Sequence, residues 1–208
     1  MKIMGEAAGS LASAASDAGA RSVVQMSAIG ADREGPSEYA QAKALGEALV
    51  RDAFPEATIL RPSILFGPDG GILTMFADLI AMFPVLPVFA PEAPLQVVHV
   101  DDVAAAIATS LLDRREHGGK TYELAGPDRI TMMELNERIA RAQRRKRTFL
   151  PMPDSASAAF AALPGTPMGM DQWRMLKAGS VASGDVPGFD ALGIQPRPLE
   201  LVIDRYMT

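Results

Sequence analysis

The chain has 208 residues, enough to bury a real core as one domain of ordinary size, with or without a small appendage. With a net charge of −5, a general affinity for nucleic acid or for anionic membrane is not expected from the overall field. The absence of cysteine excludes disulfides, thiolate catalysis and Cys-ligated metal, and leaves a reducing compartment as the default; with only His99 and His117, far apart, no metal site is expected.

Residues from about Gly5 to Ala18 are Ala-rich and read as a helix that Gly19 terminates. Glu6, Asp17 and the lack of a Leu-rich core set this segment apart from a signal peptide. Arg21–Ser27 reads as a short buried strand, and a helix follows over Ser37–Ala53, ended by Phe54-Pro55. Ala57–Arg61 is a β-branched strand stopped by Pro62, and the Gly/Pro-rich loop Gly67–Gly71 leads into an apolar helix over Ile72–Phe83. Val97–Val100 is a further buried strand, with Asp101 or Asp102 placed to cap a helix over Val103–Leu112. Lys120–Leu124 is a strand, and Thr131 caps a helix running to about Ala142.

This alternation predicts an α/β fold, a mostly parallel sheet covered by helices, over 1–150. From Pro151 the texture changes to short helical pieces broken by Pro and Gly, so 151–208 reads as a small substrate-side or lid subdomain. The apolar stretch Leu79–Pro91 is broken by Pro84, Pro87 and Pro91 and falls short of the roughly 20 residues that span a bilayer. No transmembrane segment and a cytoplasmic location are expected.

Three segments carry candidate chemistry. Tyr39 and Lys43 lie four residues apart in a helical segment, hence on one face and one turn apart. An ammonium beside a phenol favours phenolate, so such a pair is able to move a proton near neutral pH. Arg61-Pro62-Ser63-Ile64-Leu65-Phe66-Gly67-Pro68 starts where a strand ends, the edge at which parallel sheets bind ligands. Val98-His99-Val100-Asp101-Asp102-Val103-Ala104 reads as a strand feeding a helix, with His99 as a satisfied sheet histidine. Arg138, Arg141, Arg144, Arg145, Lys146 and Arg147 form a basic cluster that complements a helix C-terminus, and no nucleic-acid partner is expected.

In their order these segments resemble the short-chain dehydrogenase/reductase superfamily, in its extended, NAD-dependent epimerase/dehydratase-like branch. More narrowly, the chain resembles atypical members related to the NAD(P)H-binding accessory subunit of respiratory complex I. That likeness is carried by Met26–Asp32, Tyr39–Lys43, Arg61–Asp69, Tyr122–Pro127 and Asp171–Lys177. The resemblance implies a Rossmann-like domain over 1–150 that binds NADP or NAD. It makes Tyr39 the general acid/base, with Lys43 lowering its pKa and bonding the nicotinamide ribose. Ser27, Arg61, Pro62 and Ser63 would join Tyr39 and Lys43 around the cofactor. The family's carbonyl-polarising hydroxyl falls on Ala28, with Ser27 one place early and on the opposite face of the strand.

The family's Gly-rich phosphate turn is absent: Gly5-Glu6-Ala7-Ala8-Gly9 lacks its spacing and a preceding strand. The chain therefore resembles the C-terminal two-thirds of such a protein, and a fragment, a misplaced start codon or a degenerate copy is expected, with cofactor binding weaker than in a version extended upstream. Three functions follow from the resemblance: a nucleotide-binding or assembly protein like the complex I subunit, an active oxidoreductase, epimerase or dehydratase, or an inactive fragment. Its partners would be the dinucleotide and a small hydrophobic, quinone-like or sugar-nucleotide substrate, or a respiratory-complex protein that holds it peripherally at the inner membrane.

Overall fold

The computed structural model describes residues 2–68, 70–163 and 168–206, so Asp69 of the segment Arg61–Asp69 lies outside the described residues. In chain order the elements are α1 (Lys2–Asp17), β1 (Val24–Met26), α2 (Glu38–Ala53), β2 (Thr58–Pro62), β3 (Leu65–Gly67) and β4 (Gly70–Gly71). Next come α3 (Ile72–Met82), β5 (Val85–Val88), β6 (Pro94–Leu95), β7 (Val98–His99), α4 (Val100–Leu112) and α5 (Arg114–His117). They are followed by β8 (Thr121–Leu124), β9 (Ile130–Thr131), α6 (Met132–Ala142), β10 (Thr148–Pro151), α7 (Asp154–Ala162), α8 (Met170–Ala178), a 3-10 turn (Phe189–Leu192) and α9 (Glu200–Tyr206). This is the α/β alternation expected. The chain folds as two compact units that interleave in sequence, one of 1–63, 101–125 and 182–196, the other of 64–100, 126–181 and 197–208.

The first unit is built on a parallel sheet in the order β1-β2-β8. Val24 to Met26 pair with Thr58 to Leu60, and Ile59 to Pro62 pair with Thr121 to Leu124. The central strand is fully buried at Ile59 and Leu60, which suits its β-branched and Leu-rich sequence. Pro62 ends the strand but stays in register with Leu124, and its carbonyl accepts from the Ile29 N–H at 3.0 Å. The loop after β1 is thereby stitched to the end of β2.

The helix pair α1 and α2 explains the glycines that are not a phosphate turn. A Cβ on Gly9 would lie 2.7 Å from Cβ of Leu49, and one on Gly5 would lie 3.0 Å from the Ala42 carbonyl oxygen. Gly5 and Gly9 therefore let α1 lie directly on α2, with Ala12, Val50, Ala57 and Ile59 closing a small core. Ser37 caps α2 by accepting from the Ala40 N–H at 3.1 Å.

In the second unit α3 and α6 enclose a core that includes Phe66, Ile80, Leu95, Leu135, Ile139 and Trp173. Thr131 caps α6, as the sequence predicts, and Glu134 completes a capping box there. Three expectations change, two in this unit and one at the start of α4, most of which belongs to the first. Where a Gly/Pro-rich loop is expected, β3 and β4 pair antiparallel, with Phe66 opposite Gly71 and Gly67 opposite Gly70. The helix expected from Val103 begins at Val100, so Asp101 and Asp102 occupy its first turn rather than its cap. Val85–Val88 and Thr148–Pro151 are strands paired in parallel, unforeseen because each contains a proline. His99 is a buried sheet histidine, edge-on to Phe66 at 5.2 Å, and its Nδ1 accepts from Arg197 Nη1 at 3.0 Å, since a guanidinium only donates.

Candidate functional site

The candidate residues of the first unit gather where β1 and β2 end. Ser37 caps α2, whose Lys43 reaches β1 and whose Tyr39 lies one turn earlier against Lys43. Lys43 Nζ donates to the Met26 carbonyl at 3.2 Å and lies 5.6 Å from the centre of the Tyr39 ring. The ammonium thus pins the helix to the last residue of β1 and rests against the phenol ring.

Burial lowers the Lys43 pKa, an effect opposed by the nearby Glu47 carboxylate. Burial also pushes the Tyr39 phenol above its ordinary value. That direction is opposite to the one expected from a flanking cation, because desolvation of a half-buried phenol opposes ionisation.

Ser27, the next residue after β1, is 4% exposed, and its Oγ has no hydrogen-bond partner among the described residues. Its backbone N–H bonds the Leu60 carbonyl at 2.7 Å, so the residue is held firmly while its hydroxyl is left over. A buried, unmatched hydroxyl beside a Tyr/Lys pair is the kind of group that a polar ligand satisfies. Pro62 and Ser63 lie at the adjacent strand end, both buried, with the Ser63 N–H on the Leu124 carbonyl at 2.9 Å.

Arg61 has a different setting. Its Nε and Nη2 bond Oε1 and Oε2 of Glu47 at 2.8 and 2.7 Å, a two-point pair between β2 and α2 that holds the guanidinium firmly protonated. Sequence reasoning missed Glu47, one turn beyond Lys43; a carboxylate on the inward face of a helix was the available signal. Arg61 and Glu47 line an open depression of about 450 Å³ that also includes Asp32, Arg33 and Arg51. Arg51 is itself committed to the Gly119 carbonyl and the Thr121 hydroxyl. No helix among the described residues is long and apolar enough to cross a membrane.

The likeness read from the motifs is borne out by known proteins. The chain is 33% identical over 191 residues to the mitochondrial NADH dehydrogenase [ubiquinone] 1 alpha subcomplex subunit 9 of Arabidopsis thaliana, covering 85% of this chain and 48% of that protein. It is 32% identical to the protein of the same name from Mus musculus, over 95% of this chain and 55% of that one. The chain thus spans about half the length of these relatives. The NADPH-dependent quinone oxidoreductase QOR2 of Escherichia coli, solved with NADPH, shares the fold with a TM-score of 0.76 at 20% identity, over 97% of this chain and 71% of that one. Residues 29–178 match the family model of the RmlD substrate binding domain, and the chain belongs to that family.

Proposed function

We propose that this chain holds the nicotinamide end of a dinucleotide that serves structure or assembly, as the accessory-subunit relatives suggest. The observation that supports it most is the unmatched Ser27 hydroxyl, buried beside Lys43 at the end of a parallel strand. In this reading Tyr39, Lys43, Ser27, Pro62 and Ser63 hold the nicotinamide end, and the hydride chemistry that such a cofactor can supply is not used. Arg61 contributes through Glu47, by keeping α2 in place. The division into a dinucleotide-binding part over 1–150 and a substrate-side part over 151–208 belongs to the same proposal, as do a respiratory-complex partner and a hydrophobic, quinone-like ligand.

Catalysis is the second reading, favoured by the intact Tyr39/Lys43 pair and opposed by Ala28 where the polarising hydroxyl is expected. Proton-nitrogen spectra of the labelled chain titrated with NADPH separate the two. Shifts centred on Ser27, Tyr39 and Lys43, without NADPH consumption on ketones or quinones, support the assembly role. Turnover that Tyr39→Phe abolishes supports catalysis instead. Unchanged spectra at millimolar NADPH sink both.

A further inference from the structure

The second unit carries an exposed apolar face that its own core does not use. On α3 the side chains of Met75, Leu79 and Met82 recur at helical spacing and face outward, Met82 with 70% of its surface exposed. Phe83 and Val85, just beyond the C-terminus of this helix, are exposed as well. Val85 and Pro87 pair with Thr148 and Leu150, so period-two alternation puts Leu150, 50% exposed, on the same side of β5 and β10 as Val85.

A cationic edge lies against this face. Arg147 donates to the Ile80 carbonyl at 2.6 Å and the Ala81 carbonyl at 3.4 Å, closing the C-terminus of α3. The preceding Arg144, Arg145 and Lys146 are exposed and make no side-chain bond among the described residues. Arg144 also has φ 54°, a left-handed conformation that favours glycine, at the end of α6. The Arg144 and Arg145 N–H groups bond the Arg141 and Ala140 carbonyls there, so the turn keeps a strained arginine where glycine would fit better.

We infer that the face of Met75, Leu79, Met82, Phe83, Val85 and Leu150, with Arg144, Arg145 and Lys146 at its edge, docks this protein on an anionic lipid bilayer. Apolar side chains at the acyl boundary, with cations beside them at the phosphates, are the composition of a surface-lying membrane contact. The overall charge of −5 acts against long-range attraction. Once the face is in contact, however, screening over about 10 Å leaves the nearby cations dominant. Asp78, at the border of the α3 stripe, is the opposing charge and lies a turn before the cationic end. This inference is independent of the nucleotide reading.

The test is co-sedimentation of the full chain with vesicles of equal parts phosphatidylcholine and phosphatidylglycerol, against vesicles of phosphatidylcholine alone. Wild-type chain is expected to pellet with the anionic vesicles and far less with the neutral ones. Arg144→Gly removes a cation while relieving backbone strain, so it should fold at least as well and bind about fivefold more weakly. Adding Arg145→Gln and Lys146→Gln should bring the loss to about a hundredfold. Met82→Ser with Phe83→Ser should release the chain from both compositions. Failure of the wild type to pellet overturns the inference, as does binding untouched by both sets of variants. Self-association that Met82→Ser abolishes would assign the face to a second copy and overturn it equally.

Discussion

Arg61 on β2 and Glu47 on α2 are joined by two hydrogen bonds of 2.8 and 2.7 Å, and this pair ties the helix bearing Tyr39 and Lys43 to the centre of the sheet. The Glu47 side chain is only 9% exposed and that of Arg61 23%, so removing one partner strands a largely buried charge. Glu47→Ala is therefore expected to cost about 3 kcal/mol in urea unfolding. Arg61→Lys should recover little of the wild-type stability, since an ammonium cannot make both bonds of the fork. A loss below about 0.5 kcal/mol for Glu47→Ala would place the pair among ordinary surface ion pairs.

The glycines of α1 and α2 separate packing from helix propensity. Alanine for glycine inside a helix gains about 1 kcal/mol. At Gly46 the added Cβ would meet Gly5 Cα at 3.5 Å, an ordinary contact, so Gly46→Ala should raise the thermal midpoint. At Gly9 it would lie 2.7 Å from Leu49 Cβ, an atom fixed to the backbone, and overpacking of about 1–3 kcal/mol outweighs the gain. Midpoints in the order Gly46→Ala, wild type, Gly9→Ala are expected; a Gly9→Ala midpoint at or above wild type would mean that the two helices are not in close contact.

Tyr39 gives a pH prediction with a definite sign. Its folded pKa is raised by burial, so its contribution to stability is fully present below the unfolded value of about 10 and is lost as pH rises through the folded value. The difference in phenolate absorbance between wild type and Tyr39→Phe should show a midpoint above 10 in the ligand-free chain. A midpoint below that would mean that the Lys43 ammonium, not burial, governs the phenol.

The parts of the fold read correctly were those set by local rules. Thr131 caps its helix because it sits just before a periodic run, and Tyr39 and Lys43 share a face because helical spacing requires it. What escaped was set by partners distant in sequence. The strands containing Pro87 and Pro151 form because each finds the other, with both prolines at exposed positions that tolerate a missing N–H. Arg147 was legible as a cation near a helix end, yet the carbonyls it bonds belong to α3 rather than to its own helix. Glu47 carries the same lesson: its spacing from Lys43 suggests a pair along one helix, whereas its two-point partner is Arg61 on a strand.

Two buried hydroxyls of the first unit should respond oppositely to truncation. Thr58 Oγ1 donates to the His117 carbonyl at 2.9 Å, a second bond beside the one that carbonyl accepts from the Lys120 N–H at 3.2 Å, so Thr58→Val loses one buried hydrogen bond and should cost about 1 kcal/mol. Ser27 Oγ has no such partner among the described residues, so in the ligand-free chain Ser27→Ala should be neutral or stabilising by about 1 kcal/mol. If the hydroxyl is kept for the nicotinamide end, the same substitution should weaken the NADPH-induced shifts at Tyr39 and Lys43. Stability and binding then move in opposite directions, a trade that a merely structural serine would not produce. A Ser27→Ala loss as large as that of Thr58→Val would show that the hydroxyl is already satisfied in solution, and would remove the strongest support for a ligand there.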